Sequence, residues 1–310
     1  MEITPAMRVL VVGAGATGGY FGGRLAQAGR DVTFLVRPAR AESLRANGLQ
    51  IVSPHGDVSL PPKLITTGQS PVNYDVVLVA LKAFALEAAL PDMAAAVGPG
   101  TMIVPLLNGM RHLDLLAARF GAKAVLGGLC MISTTLDEQG RIVQLTPSHD
   151  LMYGERSGAI SDRVRALDAL MQGAGFNAQA SETIIPDMWE KWVTLAALGG
   201  ITCLLRGTIG DVAGVPGGAD FASAFFDECA ATALACGQPP TEEFIARSRA
   251  AVTRLGSPTA SSMYRDLLAG NNVEADQILG DLLERARGFG VATPLLATAY
   301  ANLKVYQARL

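Results

Sequence analysis

Six residues near the amino terminus, Gly13-Ala14-Gly15-Ala16-Thr17-Gly18, spell G-x-G-x-x-G. In that spacing the first glycine permits a tight turn and the second lets a pyrophosphate approach the backbone. The third lets a following helix pack closely on a sheet. The helix amino terminus then offers free N–H groups and a partial positive charge to the phosphates. Glycine is abundant, at 34 residues, so a glycine-rich turn without ligand is the plain alternative. The context argues for a dinucleotide. The apolar strand Arg8-Val9-Leu10-Val11-Val12 enters the loop, helical spacing over 18–28 leaves it, and a second strand at 32–36 follows closely. Where that strand ends, an NAD site usually carries an acid for the ribose 2′-OH. Here the chain reads Val36-Arg37-Pro38-Ala39-Arg40, with no acid. A guanidinium suits a 2′-phosphate through paired charge-assisted hydrogen bonds, which favours NADPH over NADH. The bland alternative is that Arg37 is a solvated strand end.

A second group of residues stands out in the carboxyl-terminal half. Only five lysines occur, Lys63, Lys82, Lys123, Lys191 and Lys304, and Lys191 lies on an otherwise apolar helix among Trp189, Trp192 and Val193. By itself it could snorkel from a helix end. Ser261 or Ser262 could cap the helix after Pro258, Glu274 could complement a helix dipole, and Asn108-Gly109 could be a turn. The four cysteines (130, 203, 229, 236) form no C-x-x-C pair, and His55, His112 and His149 are far apart, so no metal site is expected. Reduced, buried thiols of a cytoplasmic protein are the simplest reading.

The elements that must position these groups follow from apolar patterning. Half of the 310 residues are hydrophobic and 17% are charged, which excludes a disordered chain. The net charge of -3 argues against a nucleic-acid partner. Met1 to Met7 lacks a signal-peptide pattern. The longest uncharged stretch, 192–205, is too short for a membrane span and is broken by Gly199-Gly200. Continuous apolar strands at 75–81 and 101–106 join the first two, which predicts a parallel sheet covered on both faces. Between them 84–97 reads as a helix ended by Gly98-Pro99-Gly100. Short antiparallel strands are expected over 124–155, a helix over 161–173 and a last strand over 176–183. Beyond Pro186 only helical spacing is found, over 188–205, 220–236, 241–255, 262–269, 273–287 and 295–310. The expected division is α/β over 7–184 and all-α over 185–310.

Taken in order, these residues resemble the ketopantoate reductase (2-dehydropantoate 2-reductase) family. The fragments that carry the resemblance are the glycine loop with Arg37, Leu81-Lys82-Ala83, Leu107-Asn108-Gly109-Met110 and Trp189-x-Lys191. They continue with Ser261-Ser262-Met263-x-x-Asp266, Glu274, Gly280 and Gly290-Val291-x-Thr293-Pro294. The resemblance implies a Rossmann-type NADP-binding domain, an all-helical catalytic and substrate domain, and an active site in the cleft between them. It implies NADPH-dependent reduction of a 2-oxo acid, foremost ketopantoate to pantoate in pantothenate and coenzyme A biosynthesis. Lys191 would be the general acid, held by Glu274. Ser262 would bind the substrate carboxylate, and Asn108 would orient lysine and substrate near the nicotinamide. Lys82 would lie beside cofactor or substrate.

The chain departs from the family at Leu195, where an asparagine usually binds the substrate's polar groups, and at Ala85, where some members carry a polar residue. A leucine removes discrimination built on a substrate hydroxyl. Two rivals follow: a sister reductase acting on another 2-oxo acid or ketone, and a protein that senses NADPH without turnover. The expected partner is a small-molecule 2-oxo acid, with no nucleic acid and no membrane, and a homodimer is left open.

Overall fold

The computed structural model describes residues 7–69 and 73–310. Residues 1–6, which carry most of the stretch read above for a leader, lie outside the described residues. The chain forms two compact units. One holds the described residues up to Leu107 together with His112–Ile185, and the other holds Asn108–Arg111 together with Pro186–Leu310.

The first unit is α/β. Its elements are β1 (Arg8–Val12), α1 (Ala16–Gln27), β2 (Asp31–Leu35), α2 (Pro38–Asn47), β3 (Leu49–Val52), β4 (Val58–Leu60), β5 (Lys63–Ile65) and β6 (Tyr74–Val79). They continue with α3 (Leu86–Ala94), β7 (Val97–Pro105), α4 (Arg111–Phe120), β8 (Gly127–Leu136), β9 (Ile142–Gly154), α5 (Asp162–Met171) and β10 (Asn177–Ala180). Five strands form a parallel sheet in the order β5-β2-β1-β6-β7. Strand order reverses at β1, so the carboxyl ends of β1, β2 and β6 border the crevice where such sheets bind ligands. Val9 to Val12 and Val76 to Val79 are at most 1% exposed, which explains why these strands read as unbroken apolar runs.

The expected strands at 124–155 are two long ones. β8 and β9 form an antiparallel ribbon and belong to a second sheet, β10-β9-β3-β4, in which β10 and β3 run parallel to β9. Helix α1 is packed from both sides. A Cβ at Gly22 would fall 2.6 Å from the Phe34 ring of the parallel sheet, and one at Gly23 would fall 2.7 Å from Leu49 of the second sheet. The glycines of α1 are therefore spacing devices that let one helix serve two sheets. A further correction concerns Gly98-Pro99-Gly100. Helix α3 already ends at Ala94, after a 3₁₀ turn at Ala83–Ala85, and the Gly-Pro-Gly segment lies inside β7. The register shifts beside it, and Thr101 Oγ1 donates to the Tyr74 carbonyl at 2.6 Å while accepting from Gly98 N at 2.9 Å. A side chain here substitutes for the regular ladder.

The second unit is helical: α6 (Ile184–Leu205, its first turn starting in the first unit), α7 (Ile209–Ala213), α8 (Gly218–Ala235), α9 (Glu242–Val252), α10 (Ser262–Leu268), α11 (Asp281–Gly288) and α12 (Pro294–Gln307). A π-helical turn, Asp276–Gly280, runs directly into α11. None of the described helices is long and apolar enough to cross a membrane.

Candidate active site

In the first unit, the groups expected to bind a dinucleotide gather at the carboxyl edge of the parallel sheet. Gly13 follows β1, has φ +97 and donates to the Leu35 carbonyl at 2.9 Å. A Cβ there would meet the Ala80 carbonyl at 2.9 Å and Leu81 at 2.7 Å. The loop is thus clamped between the ends of β2 and β6. A Cβ at Gly18 would strike the Gly13 carbonyl, so only glycine closes this turn. Gly15 differs: its φ of -80 suits any residue, and a Cβ would meet nothing within 4 Å. The space above Gly15 is open, as a phosphate group lying against the backbone requires. Gly15 is also the N-cap of α1, whose first turn has no side-chain cap and no acid, leaving its N–H groups for an anion. The loop therefore fits a dinucleotide. Arg37 is exposed at the end of β2, as N-cap of α2, and Lys82 is exposed beyond the end of β6.

In the helical unit, Lys191 sits well inside α6, away from its ends, and is partly buried. The helix around it is tethered on three sides. Trp192 is fully buried, and its indole Nε1 donates to the Ile278 carbonyl in the π turn at 2.9 Å. The Arg285 guanidinium lies 5.8 Å and 5.6 Å from the ring centroids of Trp189 and Trp192 and pairs with Asp281 at 3.2 Å. Glu190 Oε1 accepts from Thr241 N and Oγ1 at the start of α9. Glu274, 8% exposed, immediately precedes the segment that holds Trp192.

The same π turn reaches Asn108. Gln277 Nε2 donates to the Asn108 carbonyl at 3.0 Å, and a Cβ at Gly109 would fall 2.8 Å from the Gln277 carbonyl. Asn108 is thereby fixed by the helical unit, although the strand that precedes it belongs to the sheet. Lys191, Glu274 and Asn108 thus hang on one short segment, 274–280. Gln277 and Trp192 Nε1 hold the segments that carry these candidate residues, a part that sequence reasoning did not give them. Irregular π turns recur at functional sites, yet no local signal announced this one.

Ser261 and Ser262 separate cleanly. Ser261 is the N-cap of α10: its Oγ accepts from Tyr264 N at 2.9 Å and shares a hydrogen bond of 2.9 Å with Thr202 Oγ1. Ser262 is the first helical residue and is exposed, so its hydroxyl is not spent on capping. Residues 191, 195, 198 and 202 follow one face of α6. The start of α10 docks on that face, since a Cβ at Gly199 would lie 2.7 Å from Met263 Cε. Leu195, partly exposed, stands on this face one turn from Lys191.

A parallel sheet with a glycine loop at its switch point, joined to a helical unit carrying a braced lysine, defines the dinucleotide-dependent oxidoreductases with an appended helical domain. A family model described as ketopantoate reductase PanE/ApbA matches residues 9–158, and its carboxyl-terminal counterpart matches 183–307. The chain is 39% identical over 302 residues to "uncharacterized oxidoreductase YkpB" of Bacillus subtilis, covering 97% of this chain and 99% of that one. It is 30% identical over 285 residues to the 2-dehydropantoate 2-reductase of Archaeoglobus fulgidus, covering 92% of each. The crystal structure of 2-dehydropantoate 2-reductase from Methylococcus capsulatus superposes with a TM-score of 0.85 at 30% identity, over 98% of this chain and 97% of that one. The chain belongs to the ketopantoate reductase family and is an oxidoreductase.

Proposed function

We propose that the protein reduces a 2-oxo acid to the 2-hydroxy acid with NADPH, ketopantoate being the first candidate substrate. The observation that carries this reading is the single segment 274–280, on which Glu274, the Asn108 turn and the Lys191 helix all converge. Gly13 to Gly18, with Ala14, Ala16 and Thr17, hold the dinucleotide phosphates through the backbone, and Arg37 takes the 2′-phosphate. When bound, the nicotinamide supplies a hydride to the carbonyl carbon. Lys191 Nζ donates a proton to the carbonyl oxygen as negative charge develops there, so hydride and proton together make the alcohol. Glu274 holds the ammonium in place. The Ser262 hydroxyl donates to the substrate carboxylate, and Asn108 orients substrate and lysine. Lys82 adds positive charge at the end of β6.

Leu195 favours a second reading. An apolar side chain one turn from Lys191 offers no hydrogen bond to a substrate hydroxyl, which suits a 2-oxo acid with an apolar substituent. The test is NADPH oxidation, followed by absorbance, across 2-oxo acids with hydroxylated and with apolar side chains. Turnover of ketopantoate supports the first reading. Turnover of only apolar 2-oxo acids supports the second, and tight NADPH binding with no turnover on any of them would refute both.

A further inference from the structure

Arg40 lies outside the glycine motif, yet its guanidinium lies against it. Nε donates to the Ala14 carbonyl at 3.0 Å and Nη1 to the Gly140 carbonyl at 3.2 Å. Ala14 is the second residue of the glycine loop, and Gly140 stands in the turn joining β8 to β9. That turn approaches the guanidinium closely: Gly140 has φ +76, and a Cβ there would fall 3.0 Å from Arg40 Nη1. Two chain segments far apart in sequence thus aim one side chain at the place where β1 and β2 end.

The charge of Arg40 has no counterpart. It is partly buried, and among the described residues no carboxylate pairs with it; both of its hydrogen bonds go to neutral backbone carbonyls. Removing a guanidinium from water without an anion is costly, so a cation held this way is set up for an anion that arrives later. Two of its five N–H donors are engaged, which leaves one on Nη1 and both on Nη2. The end of β2 is where an adenosine ribose lies in this type of sheet. The pyrophosphate, by contrast, is met by the backbone at the start of α1.

We infer that Arg40 is a second ligand of the cofactor's 2′-phosphate: anchored on the Ala14 and Gly140 carbonyls, it presents its remaining N–H edge beside Arg37. The inference rests on the NADPH reading above. Arg37 is exposed at the strand end and gives up side-chain freedom on binding. Arg40 is already held in place, and a pre-anchored donor loses less entropy for each bond it makes.

The experiment measures affinities of the full-length protein for NADPH and for NADH, by nucleotide fluorescence, in the wild type, Arg40→Gln, Arg40→Lys and Arg37→Ala. Loss of charge-assisted bonds at Arg40→Gln is expected to weaken NADPH by roughly 10- to 100-fold, while NADH changes by less than about threefold. The NADH affinity doubles as a check that the glycine loop is intact, because the Ala14 and Gly140 contacts serve both nucleotides. Arg40→Lys, which keeps charge without the planar fork, should lose part of the preference, and it decides the matter if Arg40→Gln does not fold. Equal losses for both nucleotides would mean that Arg40 is only a brace, and an unchanged preference would also overturn the inference. A wild type with no preference for NADPH would refute the NADPH reading itself, and the inference with it. A wild-type preference that survives both Arg40 substitutions would sink the inference alone.

Discussion

Lys191→Met puts the proposed chemistry to the sharpest test. A positioned general acid contributes roughly 100- to 10,000-fold to the rate, or about 2.7–5.4 kcal/mol of barrier. The cost of the substitution to folding has two parts, the helix with its packing and the buried Glu274 that loses its proposed partner. Lys191 lies inside a 22-residue helix, and methionine matches lysine closely in helix propensity and keeps a similar stem. The residues beside it, Trp192 and Val193, are both 0% exposed and carry the packing of this stretch without it. Helix and packing alone should change stability by no more than about 0.5 kcal/mol; a larger loss on thermal denaturation would measure the buried carboxylate left without the ammonium. Steady-state NADPH oxidation with the best 2-oxo acid should show turnover reduced by at least about 100-fold. NADPH affinity, measured separately by fluorescence, should be nearly unchanged. A folded Lys191→Met protein that retains turnover within about threefold of the wild type would remove Lys191 as the proton donor, because that loss is far below what a general acid supplies.

Other consequences can be checked independently. Gly15→Ala should fold, since its Cβ meets no protein atom, yet bind dinucleotide much more weakly; Gly18→Ala, whose Cβ strikes the Gly13 carbonyl, should lose thermal stability as well. Unchanged nucleotide affinity in a folded Gly15→Ala protein would contradict the placement of the phosphates. Leu195→Asn should move kcat/KM by roughly tenfold or more toward 2-oxo acids carrying a side-chain hydroxyl, and an identical substrate profile would separate Leu195 from specificity. Stability should also fall in mild acid through His149. Burial, the nearby His55 and Arg24 lower its pKa from the ordinary 6.5, against an opposing effect of Asp150. Its ring stacks on that of His55 at 3.8 Å and shares a hydrogen bond with Tyr20. A depressed folded value means that the folded protein binds fewer protons, so this contribution is complete above the unfolded pKa and is lost as pH falls below 6.5. Urea denaturation from pH 8 to pH 5 should show that decline, and His149→Gln should flatten it; the same slope in the variant would exonerate the imidazole.

Much of the architecture was written locally. Strand β1, the glycine loop and α1 are legible because the steric demand at Gly18 acts on Gly13, a residue close in the chain, and because strands buried on both faces must be apolar throughout. The helices of the second unit are legible for a similar reason: their buried stripes repeat with the helical period. Short strands such as β4 and β5, three residues each, carry no usable period. The Gly-Pro-Gly segment looked like a helix terminator because Thr101 compensates for its irregular backbone through a bond to Tyr74, a residue far away in sequence.

The supports of the site were settled only by the tertiary structure. Hydrogen bonds to backbone carbonyls fix the Lys191 helix, the Asn108 turn and the Arg40 guanidinium: Trp192 to Ile278, Gln277 to Asn108, and Arg40 to Ala14 and Gly140. A carbonyl is the same whatever side chain its residue bears, so such a partner leaves no mark in the order of amino acids. The sequence by itself determined which groups are available for chemistry; the three-dimensional packing decided which of them are held rigidly and in what company.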